Sequence, residues 1–473
     1  MTTTSLLTAS GAKLTITDTQ LVINNQDGGA NQSVDLEYIY GAQLLSTTTP
    51  TKILINYCHV DEPSSTEDSN SNNKTITDFR SVGQARWELR TLAFDVVAGE
   101  DTATAFVSQV RQAILPKEEG LDQTRVHVIL NPVAGGRLAT QQWKETVKPM
   151  LLAAGFQEKN IILTHTEANG KTRALAKQIG VQLLSSSNDS SPPIVICMGG
   201  DGTVHEVVNG LSDAFDGRAW SSNNMPTFRL GIIPSGSGNA FSLSLNHSSI
   251  ERAALKIIKG KTEQFQLMDA TLEPASSTKT HTRLLVVMSY GFHAQIVSKS
   301  RYLQYFMGNK RFSLVAMFLL KFLWQYPADL VLKGAQQYDR QSKQFIKKTD
   351  DDIIELLDSQ FTYFLASKQK SLERGFPIAP FASPFSPDMD VVVMRNATSE
   401  QLQDASIKTI QGGRHVDESD IVEYYKTQEL ELRVKERAEI CLDGEIVNLP
   451  KNGVVRLKMI GPSTGEPEFR TFV

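Results

Sequence analysis

The 473-residue sequence predicts an α/β doubly wound domain, a mainly antiparallel β-sandwich domain after it, and a small β-rich module ahead of both. Three observations predict this order. Between Arg125 and about Lys261, short apolar strands alternate with helical patterns, and three of the strands run into loops of small residues. From Thr262 onward the pattern changes to strand after strand. Before residue 118, several short β-like runs are closed by one helical pattern. The boundaries are 1–118, 124–262 and 263–473.

In the front module the β-like runs are Lys13–Ile16, Gln20–Ile23, Val34–Tyr40, Lys52–Tyr57 and Arg86–Phe94. Polar, low-complexity sequence from Glu62 to Asn73 interrupts them and reads as a disordered loop. Glu100–Leu115 then places Ala103, Phe106, Val107, Val110 and Ile114 on one helical face. The module has no dense Lys/Arg cluster of the kind that marks phosphoinositide binding.

The α/β series opens with strand Val126–Leu130. A helix with Trp143, Val147, Met150 and Leu151 on one side follows, stopped by Gly155. Asn160–Thr164 is the second strand and Lys171–Leu184 the second helix. A polar linker, Ser185–Pro193, leads to Ile194–Met198, whose unbroken apolar run is that of a buried central strand. Next comes Gly199-Gly200-Asp201-Gly202-Thr203-Val204-His205-Glu206, where Thr203 and Glu206 form a T-x-x-E capping box, so a helix is expected to start at Val204. Val204, Val207, Val208 and Leu211 share its inner face. Leu230–Pro234 is a further buried strand.

The three loops are Asn131-Pro132-Val133-Ala134-Gly135-Gly136-Arg137, Gly199–Thr203 and Ser235-Gly236-Ser237-Gly238-Asn239. Glycines let a backbone approach a ligand without Cβ interference, and N–H groups at helix starts favour phosphate. In an open parallel sheet such loops gather at the carboxyl ends of the strands, where nucleotides bind. Asp201 is left at the mouth of the second loop. Gly170-Lys171-Thr172 resembles the end of a P-loop, but His165 stands where its first glycine belongs, and a polar helix start explains it. No G-x-G-x-x-G follows the first strand, which argues against hydride transfer.

In the last domain the strand-like runs are Phe265–Leu272, Arg283–Tyr290, Phe361–Ala366, Asp390–Arg395, Glu429–Val434, Glu439–Leu442 and Val454–Met459, with a helical insertion near residues 298–326. A net charge of −4 argues against a general nucleic-acid binder. Cys58, Cys197 and Cys441 are widely spaced and odd in number, as expected of reduced thiols inside a cell. The amino terminus lacks the signature of a secretory signal, and Phe312–Trp324 is too short for a membrane span.

NPVAGG, GGDGTVHEVVNG and PSGSGN, in this order and spacing, resemble the catalytic domain shared by diacylglycerol, sphingosine and ceramide kinases. HEVVNGL and PSGSGNAFSLSLNH are most similar to the sphingosine kinase branch. The resemblance runs from about residue 124 to 460 and includes Asp443-Gly444-Glu445, similar to the late D-G-E of these enzymes, and the segment after Gly413-Arg414-His415. It implies an α/β doubly wound nucleotide-binding domain that takes ATP and Mg²⁺, and a β-sandwich lipid-binding domain. The front module resembles the pleckstrin-homology-like (PH-like) module of some ceramide and long-chain-base kinases, although a small β module of another type satisfies the same pattern. The activity implied is phosphorylation of the primary hydroxyl of a sphingoid base, with ceramide or diacylglycerol as the alternative, by a cytoplasmic protein associated peripherally with a membrane surface. A catalytically silent binding protein of the same fold is the rival of another class, against which the intact motifs speak.

The resemblance also implies roles. Asp201 matches the proposed general base, with direct or water-mediated Mg²⁺ contact as its other role, and Glu445 is a candidate for Mg²⁺ and, in some bacterial relatives, for the base. Asn131, Gly135, Gly136, Arg137, Gly199, Gly200, Gly202, Thr203, Ser235, Gly236, Ser237, Gly238 and Asn239 are expected around the nucleotide. Thr166 and Glu167 match a pair lining that cleft, Asp443 and Gly444 belong with it, and Lys310-Arg311 aligns with an arginine that contacts phosphates. Sphingosine kinases follow G-F-x-A with acidic residues that hold an amino-alcohol head. Here Gly291-Phe292-His293-Ala294 is followed by Gln295, which suits the amide or ester of a ceramide or diacylglycerol, while Asp269 is a possible head-group acid. Phe312–Tyr326, with Phe312, Leu319 and Phe322 among its apolar positions, is expected to form an acyl-chain gate.

Overall fold

Residues 5–25, 30–46, 50–61, 85–97, 99–115, 120–167, 171–185, 193–215, 226–273, 281–301, 310–348 and 352–473 are described by a computed structural model. The expected loop 62–73 lies outside them. Alternating burial builds the front of the chain: β1 (Ser5–Leu7), β2 (Lys13–Ile16), β3 (Gln20–Asn24) and β4 (Gln32–Asp35) form one antiparallel sheet. β5 (Ile39–Leu45), β6 (Lys52–Asp61) and β7 (Arg86–Asp95) form another. The expected single strand Val34–Tyr40 is broken, because Tyr38 and Ile39 donate turn bonds to Asp35 and Leu36 and carry the chain from one sheet to the other. α1 (Glu100–Ile114) buries Ala103, Phe106, Val107, Val110 and Ile114 against both.

The α/β domain follows with β8 (Val126–Leu130), a helical stretch over 139–154, β9 (Ile161–His165), α2 (Lys171–Ser185), β10 (Ile194–Gly199), α3 (Asp201–Phe215), β11 (Thr227–Pro234), α4 (Ala240–Ser244), α5 (Ile250–Lys259) and β12 (Thr262–Phe265). β9, β8, β10 and β11 are neighbours in that order and parallel. The first connection therefore leaves β8 toward β9, while β10 lies on the opposite side, so the chain changes direction between the loops after β8 and β10. α2 and α3 pack closely: a Cβ on Gly210 would lie 2.2 Å from the Arg173 carbonyl oxygen. α3 begins three residues earlier than expected. Gly200 O accepts from Thr203 N and Val204 N, so Thr203 lies inside the first turn instead of capping it.

β13 (Leu267–Glu273), β14 (His281–Leu284), β15 (Val287–Gly291), α6 (Phe292–Ser300), α7 (Lys310–Lys321), β16 (Tyr326–Lys333), β17 (Gln336–Asp339), β18 (Gln344–Ile346), β19 (Ile353–Ser367) and β20 (Met389–Arg395) begin the second lobe. α8 (Ser399–Ile410), β21 (Val422–Thr427), β22 (Glu429–Val434), β23 (Ala438–Leu442), β24 (Glu445–Leu449) and β25 (Val454–Ile460) complete it. The expectation of a sandwich needs correction in detail: thirteen strands among the described residues join into one antiparallel sheet. It curls around a core that includes Met288, Leu330, Phe364, Val391, Leu432 and Val455.

β26 (Glu468–Phe472) returns to the first lobe, lying parallel to β11 and antiparallel to β12. The expected run Phe265–Leu272 is accordingly two strands broken at Gln266, one in each sheet, and Arg283–Tyr290 is likewise two. By sheet membership residues 267–460 are an insertion in the α/β lobe, which differs from a plain division at 262/263. The front module docks on the α/β lobe. Lys259 Nζ donates to the carbonyls of Leu36, Ile39 and Ile114 at 2.7, 2.7 and 3.1 Å. The Arg252 guanidinium lies 5.4 Å over the Trp87 ring.

Candidate active site

Three strand ends bring their loops together. After β8, Asn131 Nδ2 donates to Thr203 Oγ1 (3.1 Å) and its Oδ1 accepts from Val133 N (3.1 Å), which ties the first loop to the second. Gly135, Gly136 and Arg137 take left-handed φ values of 53°, 73° and 71°, a conformation two glycines tolerate and Arg137 adopts at some strain. A Cβ on Gly135 would lie 2.2 Å from the Ser235 carbonyl oxygen, and one on Gly236 2.2 Å from Gly200 Cα. First loop against third, and second against third, these are backbone-to-backbone contacts that only glycine permits. Gly136 and Gly202, by contrast, face open space, so a Cβ there would meet nothing.

Asp201 sits where the loops converge. Its Oδ2 accepts from Ala240 N (2.8 Å) and its Oδ1 from Phe241 N (3.1 Å), so the carboxylate also caps α4. Burial pushes its pKa up to about 6, the Ala240 and Phe241 amides pull the other way, and the charge of Asp443 adds to the rise. Each oxygen keeps a second lone pair. Asn239 closes the third loop on itself, donating to Gly236 O (2.7 Å) and accepting from Gly236 N (3.2 Å). Ser235 Oγ is buried and has no hydrogen-bond partner. Thr166 N donates to Leu130 O, which puts Thr166 beside the first loop. Glu167 is exposed and paired with Lys171, and Arg137 is exposed.

The late D-G-E is a hairpin turn. Asp443 and Gly444 have φ of 46° and 90° between β23 and β24, as a two-residue Asp-Gly turn requires. Asp443 is turned toward the chain's own donors. Its Oδ1 accepts from Val286 N and Val287 N, and its Oδ2 from Leu285 N and His205 Nδ1, at 2.8–2.9 Å, so all acceptor capacity is taken within the chain. Glu445, two residues on, is exposed. Arg301 Nη2 donates to Gly444 O (2.9 Å) and holds the turn from α6.

On the lipid side, Asp269 stands in register between Arg283 and Lys458, a setting that suits sheet structure better than a head group. Gln295 Nε2 donates to Glu439 Oε2 (3.1 Å), with Lys299 Nζ 3.6 Å from the same oxygen. Arg311 opens α7, but its side chain lies outside the described residues. The apolar segment is shorter than expected, because Tyr326 already belongs to β16. Within it Phe312 is half-buried, Leu319 packs on the core, and Met317, Phe318, Phe322 and Trp324 are 63%, 64%, 60% and 68% exposed. His205, Asn209, Arg301 and Glu439 were given no role by sequence reasoning. His205 and Asn209 stand in the quoted string HEVVNG, but nothing there shows that i, i+4 spacing aims both at the second lobe.

Residues 125–270 match the diacylglycerol kinase catalytic domain. The match is to a family of lipid kinases and covers about a third of the chain. Members use ATP as donor. Sphingoid long-chain bases kinase 1 of Arabidopsis thaliana is 26% identical over 304 residues, 61% of this chain and 36% of that protein. Ceramide kinase of Mus musculus is 27% identical over 240 residues, 48% of this chain and 41% of that one. The chain thus spans well under half the length of these lipid-kinase relatives. A crystal structure of a candidate diacylglycerol kinase from Bacillus anthracis str. Sterne shares the fold, with a TM-score of 0.52 at 19% identity over 76% of this chain and 97% of that one. No described helix is long and apolar enough to cross a membrane.

Proposed function

We propose that this lipid kinase phosphorylates the primary hydroxyl of a sphingoid base with ATP. The observation that carries the reading is the meeting of the three strand-end loops around Asp201. The open space at Gly136 and Gly202, in loops that lead into helices, suits close approach of phosphates to the backbone. In the reaction the lipid hydroxyl oxygen attacks the γ-phosphorus. The bond to the β–γ bridging oxygen breaks, ADP leaves, and the hydroxyl proton passes to a carboxylate. Asp201 is that acceptor in this reading, since its raised pKa makes it a better base than an ordinary carboxylate. Glu445 is the second candidate.

Among the described residues no three His, Cys, Asp or Glu side chains gather as a cage for a metal. Mg²⁺ is usually held by substrate phosphates with one or two carboxylates, so exposed Glu445 suffices for the protein's share, with Asp201 through water. Mg²⁺ would supply charge neutralisation on the phosphates. The front module, two antiparallel sheets closed by α1, supports the PH-like reading. The exposed apolar residues of α7 support peripheral membrane docking with an acyl-chain gate.

Ceramide and diacylglycerol are the alternatives, favoured by Gln295 in place of an acid. Glu439 beside Gln295 favours the sphingoid base, because from β23 it returns a carboxylate to that position of α6, offset in part by Lys299. A screen with radiolabelled ATP against sphingosine, ceramide and diacylglycerol tests the reading. Label on sphingosine above the other two is expected. Label on ceramide or diacylglycerol alone would replace the substrate, and label on none would end the kinase reading.

A further inference from the structure

One face of α3 makes a polar bridge to the second lobe. His205 Nδ1 meets Asp443 Oδ2 at 2.9 Å in a buried setting. One turn on, Asn209 donates to Arg283 O (2.8 Å) and accepts from Arg283 N (3.0 Å), pairing with that residue as a neighbouring strand would. Asp443 gathers the amides of Leu285, Val286 and Val287 at the junction of β14 and β15, and its own N–H donates to Val287 O (2.8 Å). Both ends of this bridge lie close to the chemistry. His205 is four residues, one helical turn, from Asp201. Asp443 is two residues from Glu445 in a two-residue turn that leaves little slack.

We infer that His205 is a positioning residue: its Nδ1–H to Asp443 holds the turn that carries Glu445 against α3, at a fixed distance from Asp201. This rests on the kinase reading. The nucleotide loops all belong to the α/β lobe, whereas the bridge spans the two lobes. Disturbing it should therefore displace the acceptor side of the reaction and leave ATP binding alone. A misplacement of about 1 Å can cost about 10²-fold in rate.

The geometry also says which replacement should work. In asparagine the side-chain nitrogen is the same number of bonds from Cα as His Nδ1, whereas in glutamine it is one bond farther. Steady-state kinetics of His205→Asn, His205→Gln and His205→Leu, with nucleotide Kd by calorimetry, test the role. His205→Gln and His205→Leu should lose about 10²-fold in kcat with Kd for ATP within about twofold, and His205→Asn should keep most of the wild-type rate. If His205→Leu fails to fold, the Asn/Gln pair decides alone. Glutamine and leucine variants as fast as wild type, an asparagine variant as slow as glutamine, or a parallel loss of nucleotide affinity would each overturn the proposal. Wild-type protein that labels no lipid would instead end the kinase reading, a result visible before any variant is made.

Discussion

Asp201 does two jobs that can be separated by experiment. Its oxygens hold the amides of Ala240 and Phe241, and its pKa is lifted to about 6 by burial. Asp201→Asn keeps the size but turns one acceptor into a donor facing an N–H. Loss of turnover by about 10²–10⁴-fold is expected, with a cap-like stability loss of about 1 kcal/mol, read by kinetics and thermal melts. If the ionised form is the base, wild-type kcat/KM should be flat above pH 6 and fall roughly tenfold per unit below it. A rate unchanged down to pH 5 would remove Asp201 from that role. Gly202 and Gly236 separate packing from ligand contact. Gly236 is already filled by Gly200, so a side chain there breaks the loop pair, whereas a Cβ on Gly202 meets nothing within 4 Å. Gly202→Val should leave the melting temperature unchanged and weaken nucleotide binding at least tenfold, by calorimetry. Unaltered affinity would mean that the nucleotide does not approach that turn.

At the scale of elements, α7 carries its chemistry on one face. Phe318→Asp should abolish binding to phosphatidylcholine–phosphatidylserine vesicles with little change in melting, since Phe318 is exposed. Leu319→Asp, packed on the core, should cost several kcal/mol through burial of an unpaired charge. Equal destabilisation by both would show α7 to be a core helix. The sequence pattern indicated an apolar helix here but not which side is wet, because its apolar residues run almost all round. Elsewhere legibility followed the same physics. α1 and the inner face of α3 matched position by position, since a helix face is read from residues four apart. The break of β12 from β13 at Gln266 was hidden, because both halves are strand-like and only their partners differ. Asp443 showed the same limit within the site: its spacing marked it as special, while its four donors come from residues 156 to 238 positions away.

In the whole molecule, the α/β lobe and the second lobe share one buried apolar core, while polar contacts add to the docking of the front module. Lys259 joins the front module to the α/β lobe by satisfying three carbonyls, one of them Ile114 O at the end of α1, and burial pushes its pKa down to about 8. Lys259→Met keeps the packing stem but removes the Nζ donor from all three carbonyls, Leu36 O retaining its turn bond from Ile39 N, at about 1–3 kcal/mol for each carbonyl left buried and unpaired. Earlier proteolytic release of residues 1–118 is expected on limited digestion. Digestion at the wild-type rate would show that the Gly41–Ala153 and Arg252–Trp87 contacts hold the module unaided.

The chain's return through Glu468–Phe472 has a consequence for biosynthesis. That strand lies between β11 and β12, and on the ribosome it is the last piece of the parallel sheet to appear. Until it emerges, β11, the strand that presents the third loop, keeps a bare edge, and β12 has no partner in the sheet. The lobe that would clasp ATP is therefore finished only after residues 267–460 have been made. A nascent chain should hold no nucleotide until the lobe for its acceptor is already in place.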